Sequence, residues 1–298
     1  MVLLKLIHTR SAAWFGSSAA IALCLLTGGL WAMQRDGWGQ RGRGQFNNTP
    51  ADSNLDSLNL RNGVPMWERN EGFQHDTFTF ARVIYNSYGG RWGGQRWRTD
   101  FPDSDLNFSL RLQQLTSLKV NPQPVQLQLT DPRLFDYPFL YMIEVGEIVL
   151  SQAEVAAMRK YCLSGGFIMF DDFWGDQALA HLLRTLKQVF PDREAVEIPL
   201  EHEIFQCVYP LKEKPQIPSI HSWANTGLTY EFHDGDTRQV NYLGIHDDAG
   251  RLVMFICHNT DLGDGWEREG ESREYFQEFA VKKSYPMGIN IVTYAMTH

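Results

Sequence analysis

Between residues 78 and 190, short apolar runs alternate with stretches of helical periodicity, and nothing else in the chain restricts the fold as much. A strand, a helix and a second strand return to one sheet most simply as parallel neighbours, with the helix laid across a face. Phe78-Thr79-Phe80-Ala81-Arg82-Val83-Ile84-Tyr85 is rich in β-formers and closes at Asn86-Ser87-Tyr88-Gly89-Gly90. Asp103 or Ser104 is expected to cap a helix carrying Leu106, Leu110, Leu115 and Leu118 on or near one face. Residues 125–129 and 139–145 read as strands. Ser151-Gln152-Ala153-Glu154 is a capping box, and the helix it opens turns Val155, Met158 and Cys162 inward before stopping at Gly165-Gly166. Residues 167–170 form a strand ending in Asp171-Asp172, and a helix over Leu179, Leu182, Leu186 and Val189 ends at Pro191.

The later sequence adds a hairpin, 240–245 and 252–257, turned by Asp247-Asp248-Ala249-Gly250, and helices near 272–282 and 288–295. Together these elements predict an α/β fold with a doubly wound, mostly parallel, flavodoxin-like sheet covered on both faces. One domain over 73–298 accommodates them all, about 225 residues, within the usual single-domain range.

Ahead of that domain, Ser11 to Gln34 carries no charge and contains Ile21, Leu23, Leu25, Leu26, Leu30, Trp31 and Met33. As a helix this run reaches roughly 36 Å, more than the roughly 30 Å hydrocarbon core of a bilayer. Lys5 and Arg10 make residues 1–10 a basic n-region, so 11–34 reads as an export signal or an uncleaved transmembrane helix, with the body exported. Residues 35–72, with Gly37, Gly39, Gly42 and Gly44, have the composition of a flexible linker. The expected location is the bacterial inner membrane, spanned once, with the domain on the periplasmic or extracytoplasmic side. The whole chain has 27 basic and 35 acidic residues; removing Lys5 and Arg10, the only charges before Arg35, leaves 25 against 35, a formal −10. Such a surface excludes nucleic acid as a partner.

In a doubly wound sheet the ligand site lies at the carboxyl ends of the strands, near the reversal of strand order. Those ends carry Glu144, Glu147, Asp171, Asp172 and His258, which are the candidate acid, base or metal-ligand residues of an enzyme. Converging carboxylates repel unless a cation, a base or a hydroxyl-rich ligand sits among them, although Asp and Asn also end strands simply as turn residues.

The string Trp97-Arg98-Thr99-Asp100-Phe101-Pro102-Asp103-Ser104-Asp105-Leu106-Asn107-Phe108 resembles the opening of a bacterial family known as domain of unknown function 4159. The resemblance continues through Tyr141-Met142-Ile143-Glu144-Val145-Gly146-Glu147, Asp171-Asp172-Phe173-Trp174-Gly175, Glu201-His202-Glu203-Ile204-Phe205, Cys257-His258-Asn259-Thr260-Asp261 and Gly288-Ile289-Asn290. It implies a domain similar to the class I glutamine-amidotransferase-like fold, often secreted or membrane-tethered, and it implies no established activity. A more distant similarity to the ThuA-like branch of that fold, linked to sugar utilisation, rests on Gly250-Arg251-Leu252 leading to His258. Asn86, Trp97, Arg98, Asp100, Trp174 and His202, from these blocks and the strand ends, are the candidate ligand-binding residues.

An amidotransferase needs a Cys nucleophile on a tight strand-to-helix turn. At that place the chain has Glu144-Val145-Gly146-Glu147, and Ser151 is accounted for as a helix cap. Cys162, Cys207 and Cys257 stand in helical or apolar strand contexts, Cys24 lies in the charge-free run, and no CxxC spacing exists. No cofactor is expected. Asn259, Asp261, Asp264 and Glu267 offer hard oxygen ligands, but Asp264 stands where an EF-hand loop requires Gly, so a structural turn is the expectation there and no metal is assigned. The function these features point to is a membrane-tethered, non-catalytic module binding a carbohydrate or an envelope protein. The alternatives are a hydrolase-like enzyme acting on a glycan through strand-end carboxylates, and a structural subunit of an envelope complex.

Overall fold

The computed structural model describes residues 77–88 and 95–298. The basic n-region, the apolar run and the linker expected over 1–72 lie outside the described residues, as does Trp92. Among the described residues no helix is long and apolar enough to cross a membrane.

The strands are β1 (Ala81–Ile84), β2 (Asn86–Ser87), β3 (Val125–Gln128), β4 (Phe139–Ile143), β5 (Ile148–Val149), β6 (Phe167–Phe173), β7 (Val196–Glu197), β8 (Asn241–His246) and β9 (Leu252–His258). Seven of them form one sheet in the order β3-β1-β4-β6-β9-β8-β7. β3, β1, β4, β6 and β9 run parallel, while β8 and β7 are antiparallel additions at one edge. Counted in chain order the parallel strands stand 2-1-3-4-5, so the winding reverses between β1 and β4. The mostly parallel α/β sheet expected from the alternation is therefore what forms.

The helices are α1 (Asp103–Leu115), α2 (Gln152–Leu163), α3 (Asp176–Val189), α4 (Ile220–Thr226), α5 (Leu262–Glu267), α6 (Arg273–Tyr275) and α7 (Tyr285–Thr297). Every residue of β4 is buried, with Phe139, Tyr141 and Ile143 on the face covered by α1, α5 and α7, and Leu140 and Met142 on the face covered by α2 and α3. A strand covered on both faces has no reason to alternate with polar residues, hence the unbroken apolar runs. Ser151 and Glu154 close the capping box as expected.

Three local expectations change. α1 has Pro102 at its N-cap and no side-chain cap; Ser104 and Asp105 lie inside the helix, buried and turned toward Arg82. β6 does not stop at Phe170 but runs on to Phe173, with its register against β9 shifting between Phe170 and Phe173 and Asp172 held at φ +50°. The two C-terminal helices join: α6 passes through π-helical turns over Phe276–Ser284 into α7, where Pro286 sits in the first turn and its missing amide costs least.

These details shape the carboxyl edge. Among the described residues four non-glycine residues have positive φ, Asp100 (61°), Glu144 (57°), Asp172 (50°) and Asn259 (59°). Glu144, Asp172 and Asn259 all fall at the carboxyl ends of the parallel strands, where a sharp turn aims a side chain outward from the sheet.

Candidate functional site

The site is assembled around a buried cation. Arg82 on β1 is fully buried; its Nε donates to Asp105 Oδ2 at 3.0 Å and its Nη2 to Ser104 Oγ at 2.9 Å. Its Nη1 donates to the carbonyls of Trp97 and Thr99, both at 2.9 Å, and its Cζ lies 4.9 Å from the Tyr141 ring centre. A buried guanidinium is tolerable only when paired and hydrogen-bonded throughout, and this one is. By gripping Thr99 it delivers the next residue, Asp100, to the edge of the sheet.

Asp100 meets Asp172 and Asp261 there, with one carboxylate oxygen from each lying within 4.8 Å of the others. Asp172 comes from the irregular end of β6, and Asp261 is the N-cap of α5, its Oδ1 accepting from the Asp264 amide at 2.7 Å. Asp100 Oδ2 is buried without a hydrogen-bond partner, packed so close to Gly263 that a Cβ there would stand 2.7 Å from it. Among the described residues, ion pairs join Arg82 to Asp105, Arg96 to Glu144 and Glu147, and Arg268 to Asp264, Glu267 and Glu271; none reaches this triad. Burial first, and then the neighbouring carboxylates, hold Asp100, Asp172 and Asp261 well above the ordinary carboxylate range. A second group, Asp100 with Asp264 and Glu267, has the same spacing, but Arg268 already supplies its counter-charge. Asp264 is further committed, accepting from the Ile220 amide at 2.7 Å and the Tyr275 hydroxyl at 2.9 Å.

The other expected residues are placed as follows. Asp171 is consumed by the fold: Oδ2 accepts from Tyr141 Oη and the Gly263 amide, both at 3.0 Å, and Oδ1 from the Leu262 amide at 3.3 Å. Burial nevertheless pushes its carboxyl up to about 7. Glu144 and Glu147 share Arg96, which donates to each at 2.9 Å, and burial outweighs that partner at Glu144, leaving its carboxyl above the ordinary value. Glu144 nonetheless occupies the sharp turn after β4, in left-handed conformation. Gly146 behind it lets α3 approach, since a Cβ would stand 2.7 Å from Ala178 Cβ.

His258 is a structural residue: Nε2 lies 3.0 Å from the Gly175 carbonyl and Nδ1 lies 3.0 Å from Asn241 Nδ2. That network assigns the proton to Nε2, and burial holds the ring's pKa below its ordinary value. Asn259 is likewise committed, its side chain bridging the Gly175 amide and the Gln239 carbonyl. The oxygen donors of this loop, Asn259, Asp261, Asp264 and Glu267, are thus divided, with only Asp261 in the triad. His202 is not in the site. Its ring lies 6.4 Å from that of His246, the last residue of antiparallel β8, at the opposite edge of the sheet. Asn86 is exposed on β2, which pairs with β5 outside the main sheet. Trp97 contributes its carbonyl to Arg82, and Arg98 lies 5.8 Å from the Trp97 ring centre. Trp174 is buried and stacks at 14° on His233, with 6.2 Å between ring centres.

Sequence reasoning passed over Arg82, Arg96, Tyr141, Glu231 and His233. Arg82 was detectable as a charged residue inside an apolar strand, a position that demands a buried partner; the others are joined to the edge only by the tertiary fold.

Among known proteins, the model of one family, described as Domain of unknown function (DUF4159), matches residues 79–296. No curated protein matches the chain.

Proposed function

We propose that this chain, which belongs to the DUF4159 family, is a membrane-tethered, non-catalytic binding module of the bacterial envelope whose ligand site is a divalent cation held at the carboxyl edge. The frame is that of a class I glutamine amidotransferase with a glutamate where the nucleophile would stand. The charge-free run at 11–34 serves as the anchor and places the domain on the extracytoplasmic side.

The observation that carries the reading is the triad Asp100, Asp172 and Asp261: two buried carboxylates and a half-buried one, with oxygens inside 4.8 Å and no ion pair from the described residues. Hard oxygen donors at that spacing suit Ca²⁺, Mg²⁺ or Mn²⁺, with water or ligand oxygens completing the shell. Asp100 Oδ2, buried and unpartnered, is the second support, because an orphaned acceptor of that kind calls for a missing partner. Binding is favoured over hydrolysis because four of the five expected acid-base groups are committed, Glu144 and Glu147 to Arg96, Asp171 to Tyr141 and two amides, His258 to Asn241 and Gly175, while the fifth, Asp172, is taken up as a cation ligand.

The test is thermal unfolding of the chelator-stripped full-length protein at pH 7.5, titrated with Ca²⁺, Mg²⁺ and Mn²⁺. At least one cation should raise the midpoint; a site filled at a hundredfold excess over its Kd gains about 2.7 kcal/mol. Asp172→Asn should lose that response while staying folded. If no cation shifts the wild type, and Asp172→Asn merely stabilises it, the triad is a protonated structural cluster and the reading fails.

A further inference from the structure

Residues 227–240, which join α4 to β8, form a strap anchored to the carboxyl edge at several points. The Asp234 carbonyl accepts from the Asp176 amide at 3.3 Å, and its carboxylate from the Gln177 amide at 2.9 Å, tying the strap to the start of α3. The approach is close enough that a Cβ on Gly175 would stand 2.5 Å from Asp234 Oδ1, and one on Gly235 would stand 2.3 Å from Asp176 Cγ. Glu231 accepts from the Ser219 amide at 2.8 Å, and the Thr237 carbonyl accepts from Gln216 Nε2 at 3.0 Å. The same Gln216 nitrogen also reaches the Asn259 carbonyl. A segment fixed at so many points presents its outer side chains in defined positions.

What it presents is aromatic. Phe232 is 72% exposed, well beyond Leu115 at 50%, the next among the exposed large apolar side chains of the described residues. Tyr230 meets it edge-on, with 5.6 Å between ring centres. His233 of the strap, itself exposed, stacks on Trp174, whose buried Nε1 has no hydrogen-bond partner. Trp174 is two residues from Asp172, and Gln216 joins the Thr237 carbonyl of the strap to the Asn259 carbonyl, two residues from Asp261, which places the strap beside the triad.

An exposed Phe232 backed by a half-buried Tyr230, beside carboxylates, selects its ligand by exclusion. Asp236 is neutralised by Arg238, but Glu231 and Asp234 on the strap, next to the carboxylates of the triad, disfavour phosphates and acidic sugars, and burying these charges against an apolar partner would cost more than Phe232 returns. A ring with one apolar face and several neutral hydroxyls satisfies both halves, stacking on the aromatics while its oxygens reach a cation. We propose that the strap is the stacking half of a carbohydrate subsite: a neutral sugar ring lies on Phe232 and Tyr230, and vicinal hydroxyls complete the shell of the cation held by Asp100, Asp172 and Asp261.

This inference rests on the cation reading above, and the experiment separates the two. Full-length protein, in a detergent without a sugar headgroup, is probed with a panel of neutral mono- to tetrasaccharides covering gluco, galacto, manno and N-acetylated rings. A uronic-acid oligosaccharide and a nucleotide serve as charged controls, and each probe is run with the stabilising cation and with chelator. At least one neutral sugar should bind with the cation and not with chelator, and Phe232→Ala should weaken it at least tenfold while leaving the cation-induced thermal shift unchanged. No binding across the panel with the thermal shift intact overturns the sugar proposal alone. So does binding that prefers the charged controls, or that survives a Tyr230→Ala, Phe232→Ala double variant. Absence of the thermal shift itself brings down the cation reading and this proposal with it.

Discussion

Two groups of buried charge meet along one short peptide and are treated in opposite ways. Arg82 and Asp105 are both fully buried and paired, and Ser104 and the carbonyls of Trp97 and Thr99 complete the guanidinium's hydrogen bonds. One residue beyond Thr99, Asp100 enters a triad of carboxylates to which the described residues give no ion pair. The first group is an interaction the fold finishes by itself, tying β1 to α1. The second is held in place by the first and, among the described residues, has no ion pair of its own, which is the electrostatic difference between a structural clamp and a site.

Breaking the clamp should have the largest effect. Arg82→Met strands Asp105 in a dry environment and frees two carbonyls, a change expected to cost about 3–5 kcal/mol. In a domain of this size that is a fall of roughly 6–20 °C in the unfolding midpoint. Urea unfolding of the variant measures it directly. A cost under about 1 kcal/mol would mean that the clamp is not what holds the 97–100 segment, and the contrast with the triad would collapse.

The clamp and the triad also differ in how far the sequence displayed them. The alternation of strands and helices, the Ser151–Glu154 cap and the Asp247–Gly250 turn are local patterns, and each forms as its residues imply. Acidic groups at the strand ends were also visible, because they follow directly on apolar runs. Which of them face one another was not. Asp100 and Asp172 are far apart in sequence and meet only because Arg82 holds one loop while a register shift in β6 redirects the other. With β6 ended at Phe170, Asp171 and Asp172 stand as equivalent candidates at one strand end. In the structure, Asp171 pairs with Ile143 inside the sheet, and Asp172 alone turns out. His258 looked available for the same reason: its partners, Asn241 and the Gly175 carbonyl, come from distant parts of the chain.

The next largest effect is a dependence of stability on pH, set by the buried carboxyls of the carboxyl edge, the triad among them. Asp171 and Glu267 are pushed up to about 7, chiefly by burial, and Asp100, Asp172 and Asp261 are raised for the same first reason. For a carboxyl whose folded pKa exceeds its unfolded one, the native state binds more protons between the two values, so stability falls as pH rises through that interval. Metal-free protein should therefore lose stability between about pH 4 and pH 7. Asp171 alone, moved from 3.8 to about 7, sets a ceiling of about 4 kcal/mol, and a net loss of about 2 kcal/mol is expected once the edge takes up water. A saturating cation displaces the protons of Asp100, Asp172 and Asp261 and should make the profile shallower, while the share due to Asp171 stays. Urea midpoints at pH 5, 6, 7 and 8, with chelator and with cation, test both halves. A flat metal-free profile would show that the triad carries no electrostatic strain.

The smallest effect belongs to a third group, intermediate between the other two. Arg96 bridges Glu144 and Glu147, but the three side chains keep 22–33% of their exposure, so water already shares the work of neutralising them. Arg96→Met is expected to cost only about 0.5–1 kcal/mol, the ordinary value of a partly solvated ion pair, and high salt should shrink it further. The sign at Glu144 follows from its surroundings. Burial already raises its carboxyl, Arg96 opposes that, and removing Arg96 moves it higher still, so the variant's deficit should be smaller at pH 5 than at pH 8. Unfolding of Arg96→Met at those two pH values reads the difference. If the loss instead matches that of Arg82→Met, burial is not what separates clamp from surface pair, and the turn at Glu144 depends on Arg96 for its left-handed geometry rather than for charge alone.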